Sequence, residues 1–352
     1  MRLEELIARI GPLDEAAGQA AAMRQRSLTK PAGSLGRLEQ LSVQIAAIRG
    51  QPLPHVRHKV VVTLAADHGV VAEGVSAYPP SVTAQMVANF LRGGAAVNVL
   101  ARHVGARVVV ADLGVREPLP DHAELISARI GAGTANIARG PAMARSQALR
   151  ALEAGVEIVD RQFDQGLDLL ALGEMGIGNT TSAAAVASAL LGEPPARLVG
   201  RGTGIDDDAL ARKTAAVERA LERNRPDPRD PIDVLAKLGG FELAGLAGAA
   251  LAAAARRRPV ILDGYPSTAA AMIAVALAPA SRPYLIAAHR SQESGHQRML
   301  DSLGLVPLLD LDLRLGEATG AVLAMSLVEA ACRTLAEMAT FDEAGVSNRR
   351  EP

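Results

Sequence analysis

Short runs of consecutive apolar residues punctuate the chain from residue 60 onward. They are Val60–Ala65, Arg107–Ala111, Leu167–Leu172, Val260–Leu262, Tyr284–Ala288 and Val306–Leu311, with Arg197–Val199 a weaker seventh. Runs of this length suit strands buried on both faces, as in a parallel sheet. Stretches with helical spacing separate them. The pattern therefore predicts an α/β fold, a Rossmann-like parallel sheet flanked by helices. The two chain ends read differently. Leu3, Ile7 and Ile10 share one helical face, and a second helix runs through Leu38, Leu41, Ile45 and Ile48. From Ala318 to Met338 a long helix carries an apolar stripe through Val322, Met325, Val328, Ala331, Cys332 and Leu335. Packed together, these ends predict a small helical domain of residues 1–50 plus 322–352 beside an α/β body of residues 51–321. Only Ser347–Pro352 reads as disordered.

The residues after each strand candidate carry the chemistry. Asp67-His68-Gly69 follows the first, Asp112 the second, Glu174 the third, Asp263-Gly264 the fourth, His289-Arg290-Ser291 the fifth, and Gly316-Glu317 comes shortly after the sixth. Polar groups at strand carboxyl ends are where open α/β sheets place ligands, so a shared cleft is expected. The third of these segments is the most telling, a glycine-spaced turn from Gly173 through Gly176, Gly178, Asn179 and Thr180 into an Ala-rich helix. Glycines admit close backbone approach, and the free N–H groups of a helix start attract phosphate. Glu174 in the same turn repels phosphate alone and implies a ligand with a second polar or cationic part. A tight connection with no ligand fits these glycines equally well. The turn lacks the GKS/GKT ending of a P-loop and the third glycine of a dinucleotide fingerprint. A further glycine segment, Gly200–Gly204, precedes Lys213, which is either a solvated surface charge or a point charge for a phosphate.

Composition narrows the class. Of 352 residues 49% are hydrophobic but only 2% aromatic, with no Trp, so the core is aliphatic and Ala-rich. A formal charge of −1 and the lack of a basic run argue against nucleic acid. The one cysteine, Cys332, excludes an internal disulfide and sits in an apolar helical run. The longest apolar stretches, Leu243–Ala255 and Ala269–Ala280, are shorter than the roughly 20 residues of a spanning helix. With Glu4 and Glu5 near the start and no secretory signal, a soluble cytoplasmic protein is expected. No HxxxH spacing supports a metal site and no GxSxG elbow supports hydrolysis. What remains are two carboxylates, Glu174 and Glu317, each in a glycine turn before an Ala-rich helix. In dry surroundings such a group accepts a proton near neutrality. For Glu317, favourable helix electrostatics is an equal alternative from position alone.

Seven segments carry a family resemblance: Leu28–Glu39 (LTKPAGSLGRLE), Ala65–Val70 (AADHGV), Thr134–Met143 (TANIARGPAM), Gly173–Ala185 (GEMGIGNTTSAAA), Gly200–Asp206 (GRGTGID), Leu262–Ala271 (LDGYPSTAAA) and Gly316–Ala321 (GEATGA). Together, in this order and over nearly the whole chain, they resemble the nicotinate-nucleotide–dimethylbenzimidazole phosphoribosyltransferases of cobalamin lower-ligand assembly. Ser294 departs from the family's pattern, standing where Pro is expected. The resemblance implies transfer of phosphoribose from nicotinate mononucleotide to 5,6-dimethylbenzimidazole, with inversion at the anomeric carbon and Glu317 as general base. It implies Gly176, Gly178, Asn179, Thr180, Gly202 and Lys213 on the nucleotide side, with Asp263 and Ser291 nearby, and Gln85 and Glu174 toward the benzimidazole. It implies a homodimer working on small molecules, with no cofactor and no metal. The departing pyridinium is already cationic, so no acid is needed, and there is no pyrophosphate to chelate. Two rivals stay open on the residues alone: an oxidoreductase or kinase using the same crevice, and a non-catalytic azole-nucleotide binder.

Overall fold

The computed structural model describes residues 3–119 and 121–348. Residues 349–352 of the expected disordered tail lie outside the described residues. Six parallel strands form one sheet: β1 Lys59–Ala66, β2 Ala106–Gly114, β3 Leu125–Ser127, β4 Leu169–Met175, β5 Val260–Leu262 and β6 Leu285–Ala287. Their order is β3-β2-β1-β4-β5-β6. The chain leaves β1 toward one side and returns through β4 on the other, so the order reverses between these two strands. A crevice at their carboxyl ends is the general consequence of that reversal. Register is set by burial: all eight residues of β1 are buried, with Val62 opposite Val109 on β2 and Leu172 on β4.

The scarcity of aromatic residues shows in the packing. Helix Phe241–Ala255 is buried on almost every residue and lies between the sheet and helix Arg145–Phe163. The two helices approach so closely that a Cβ on Gly155 would sit 1.8 Å from the Gly245 carbonyl oxygen, and one on Gly248 would sit 2.0 Å from that of Leu152. Glycine at these positions is therefore a packing requirement, and it substitutes backbone contact for side-chain bulk.

The chain ends meet. Helix Thr319–Glu337 packs on helix Arg37–Arg49, and Ala21, Ala46 and Leu335 form a small apolar cluster of their own. Arg24 Nε donates to the Leu335 carbonyl at 2.8 Å, and Leu28 bridges Thr340. Helix Thr319–Glu337 is long and apolar enough to cross a membrane by length and composition alone, yet its Val322, Met325 and Val328 belong to the main core.

Several expectations are corrected. Val306–Leu311 is not a strand; it contributes a single parallel bridge, His289 to Leu309, because Val306 and Leu311 are exposed and find no strand to pair with. Arg197–Val199 is the end of a 3₁₀ turn started by Pro194 and Pro195. The third strand, Leu125–Ser127, was not foreseen; it is three half-exposed residues on the sheet edge, too short for an alternation to register. The β4 run also ends later than expected, at Met175, so Glu174 belongs to the strand rather than to the turn.

Candidate active site

A cleft of about 420 Å³ opens at the carboxyl ends of β4, β5 and β6. One wall is the β4 turn, from Glu174 to Thr180. The others come from Gly202-Thr203, from Gly264 to Pro266, from His289, Ser291 and Glu293, and from Arg314 to Glu317. Val82, Met86, Met175 and Ile177 supply apolar lining, and Tyr78 stands at the mouth.

The β4 turn is shaped by what touches it. Gly176 passes so close to β1 that a Cβ would lie 2.3 Å from the Ala66 carbonyl oxygen, and Gly178 has φ +95°. Behind them the buried His68 ring bridges Ser182 at 3.0 Å and Glu242 at 2.7 Å. Helix Asn179–Leu191 then starts at the cleft, which Asn179 and Thr180 line, with the Asn179 and Thr181 N–H groups bonded to the Gly176 and Gly178 carbonyls, both at 3.0 Å. Lys213, 1% exposed, donates from Nζ to Thr180 Oγ1 and to the Gly200 carbonyl, both at 2.9 Å. Burial holds its pKa down to about 8, with Glu293 pulling the other way. The surface reading of Lys213 is thereby overturned: this ammonium sits beneath the two glycine turns.

On the far wall, Glu317 follows Gly316 and has φ +65°, and Ala318 after it has φ +82°. Two successive non-glycine residues in the left-handed region are costly, about 1–2 kcal/mol each. Asp263 holds them there: its Oδ2 accepts from the Ala318 N–H at 3.3 Å and its Oδ1 from the Ala321 N–H at 2.9 Å. The Glu317 carboxylate is thus turned inward, 6% exposed, with Oε2 lacking any hydrogen-bond partner among the described residues. Burial raises its pKa, the Val97 N–H in the first turn of helix Ala96–Val104 opposes that, and Asp263 adds to the rise. Glu174 accepts a hydrogen bond from Asn179 Nδ2 and lies against Gly316. Burial, then Asp263 and Glu242, push its pKa to about 8. This burial favours the protonated carboxyl of Glu174.

The structure brings together Glu174, Gly176, Gly178, Asn179, Thr180, Gly202, Ser291 and Glu317 around one cleft, with Lys213 directly behind. Asp263 is adjacent but does not line it; its oxygens are spent on the Ala318 and Ala321 N–H groups. Gln85 does not line it either. It lies on the exposed face of helix Val82–Leu91, and Met86 one residue on faces the cleft. Of the six polar strand ends, two are structural. Asp67 accepts from the Arg116 N–H and Asp112 from the Val115 N–H, both at 2.7 Å. Sequence reasoning missed Glu293 and the His68–Glu242 pair. Glu293 was findable as a lone acid two residues beyond Ser291; the partner of His68 lies 174 residues away and leaves no local signal.

Comparison with known proteins fits this geometry. A family model described as a phosphoribosyltransferase matches residues 10–346. The chain is similar to the nicotinate-nucleotide–dimethylbenzimidazole phosphoribosyltransferase of Roseiflexus sp. strain RS-1, 61% identical over 349 residues and 99% of either chain. The protein of that name from Chloroflexus aggregans is 59% identical over the same extent. Among solved structures it resembles that of the Thermus thermophilus protein of the same name, with TM-score 0.91 and 51% identity over 96% of this chain and 100% of the other.

Proposed function

The chain belongs to the phosphoribosyltransferase family of these relatives, and from that premise we propose that it moves the phosphoribosyl group of nicotinate mononucleotide to 5,6-dimethylbenzimidazole. The products are α-ribazole 5′-phosphate and nicotinate, a step in building the lower ligand of cobalamin.

The observation that carries the mechanism is the Glu317 carboxylate, buried in the cleft with Oε2 unpartnered and its pKa raised. An acceptor of that kind takes the N–H proton of the benzimidazole. The other ring nitrogen then attacks the anomeric carbon, and the carbon–nitrogen bond to the pyridinium breaks with its electron pair passing to the ring. Nicotinate leaves without needing a proton. Attack from the face opposite the leaving group inverts the centre from β to α. General-base help of this type contributes about 10²–10⁴-fold, and alignment of two flat rings against the sugar supplies much of the rest.

In this reading Gly176, Gly178, Asn179, Thr180, Gly202 and Lys213 take the phosphate end, at a helix start backed by an ammonium. Ser291 lies toward the sugar. Glu174, carrying its proton, is a hydrogen-bond donor on the base side, where Met86, Met175 and Ile177 give an apolar bed. Asp263 acts through the Glu317–Ala318 turn that it holds. We further read the protein as a cytoplasmic homodimer acting on small molecules, with neither nucleic acid nor membrane as partner. Exposed Leu311 and cleft-lining Leu315 support an apolar contact with a second copy near the mouth. The meeting of the chain ends supports residues 1–50 plus 322–352 as one small helical domain.

The test is direct. Purified protein incubated with nicotinate mononucleotide and dimethylbenzimidazole is expected to yield α-ribazole phosphate on chromatography, in the presence of EDTA as in its absence. Bound nucleotide without product would leave a binder of the same fold and remove the enzymatic reading.

A further inference from the structure

The anion-seeking corner of the cleft already faces an anion of the protein's own. Glu293, 7% exposed, lies on the loop after β6 and lines the cleft beside Thr180 and Gly202. Its Oε1 accepts the Gly202 N–H at 2.7 Å. Its Oε2 fills the space where a Cβ on Gly200 would come within 2.2 Å, and has no hydrogen-bond partner among the described residues. Lys213 Nζ bonds the carbonyl of the same Gly200 and Thr180 Oγ1, and a Cβ on Gly202 would meet Nζ at 3.0 Å. One of the donors assigned above to phosphate, the Gly202 N–H, is therefore already taken by a carboxylate whose other oxygen is unsatisfied. A phosphate dianion and that carboxylate cannot both hold the Gly202 N–H and the Lys213 charge, since each is negative and the site is dry.

We propose that Glu293 is a placeholder anion: it occupies the Gly202 N–H and balances Lys213, and its side chain swings away when the nucleotide's phosphate binds. The idea rests on the reading that Gly202, Thr180 and Lys213 receive that phosphate. The backbone is built for a side-chain movement alone. The Glu293 carbonyl accepts from the His296 N–H at 2.9 Å, and the Glu293 N–H donates to Ser291 Oγ at 3.3 Å, so the loop stays put while the carboxylate rotates. The placeholder has a physical purpose. The carboxylate fills the corner and takes the Gly202 N–H until a better anion arrives.

The sign of the effect decides the matter. Glu293→Gln keeps the shape and an acceptor for Gly202 but removes the competing charge. KM for nicotinate mononucleotide is expected to fall about threefold to tenfold, with kcat changing less than KM, as relief of one like-charge contact would give. Inorganic phosphate should inhibit at correspondingly lower concentration. A second readout needs no turnover: the rise in Tm on adding inorganic phosphate should be larger for Glu293→Gln, and for Glu293→Ala, than for the wild type. A raised KM with a smaller phosphate-induced rise would overturn the proposal, because it is what a residue that pins the turn or grips a ribose hydroxyl would give. If phosphate left the wild-type Tm unmoved and Lys213→Ala left KM unchanged, the phosphate corner itself would be misassigned.

Discussion

Two glycine turns bring a glutamate to the same cleft, and they hold it in contrasting ways. Glu174 is still part of β4, paired in register with Leu64 of β1, and its carboxylate is engaged by Asn179. Glu317 belongs to no strand; left-handed backbone at residues 316, 317 and 318 aims it inward and leaves one oxygen unpartnered. Both lie in a knot of buried acids with Asp263 and Glu242, where burial disfavours charge. Glu174, in ordinary strand geometry, favours its protonated form because burial and neighbouring acids outweigh the Asn179 hydrogen bond, and it serves as a fixed group. The acid on the strained turn is the one free to exchange a proton with a ligand. Strain at a site is worth keeping only where a neighbour enforces it, and Asp263 is that neighbour.

Substitutions at the two turns sharpen the contrast. The largest effect is expected for Glu317→Gln, a loss of about 10²–10⁴-fold in kcat with no loss of Tm, since it keeps an acceptor for the Val97 N–H and replaces a buried carboxylate whose Oε2 has no partner among the described residues. Steady-state kinetics beside calorimetry checks both halves. Gly316→Ala comes next. It places a side chain at φ +88° with its Cβ 2.5 Å from Glu174 Oε1, so denaturant unfolding should show a loss of about 1–3 kcal/mol. Glu174→Gln is expected to act through pH. Unfolded, this carboxyl ionises near 4.5; folded, near 8. Between those values the folded state binds more protons, so stability is full below pH 4.5 and declines as pH rises toward 8. The wild-type slope should be steeper than the variant's by up to about 1.4 kcal/mol per pH unit, measured by unfolding at several pH values; parallel curves would mean Glu174 is ionised in the fold. The smallest change is Ala318→Gly, which relieves one left-handed residue at φ +82° and should raise stability by about 0.5–1 kcal/mol.

Much of this was legible in the chain. The strands that formed as expected are the ones whose residues are buried on both faces, Val60–Ala65 and the core of β4 above all. Burial of that kind writes a continuous apolar run, and Val306–Leu311 shows the limit, since an exposed run writes the same letters. The glycine turns and both glutamates were visible because their neighbours in sequence are their neighbours in space. Asp263 was legible as a polar strand end but not as the residue that grips the Ala318 and Ala321 N–H groups, a contact across 55 and 58 positions. Gln85, which the resemblance places toward the benzimidazole, stands on the exposed face of its helix, and Met86 beside it lines the cleft. Glu242 is a charged residue held inside by tertiary contacts alone, and no local pattern marks such a residue.

The role of Glu317 as base is tested most directly by acceptor acidity. Transfer rates of the wild type and of Glu317→Gln would be measured with a series of benzimidazoles whose ring N–H becomes progressively more acidic. If Glu317 removes that proton, the rate deficit of the variant shrinks steadily as the N–H loses its proton more readily. A deficit that stays constant across the series would contradict the role, and leave Glu317 as a residue that shapes the cleft.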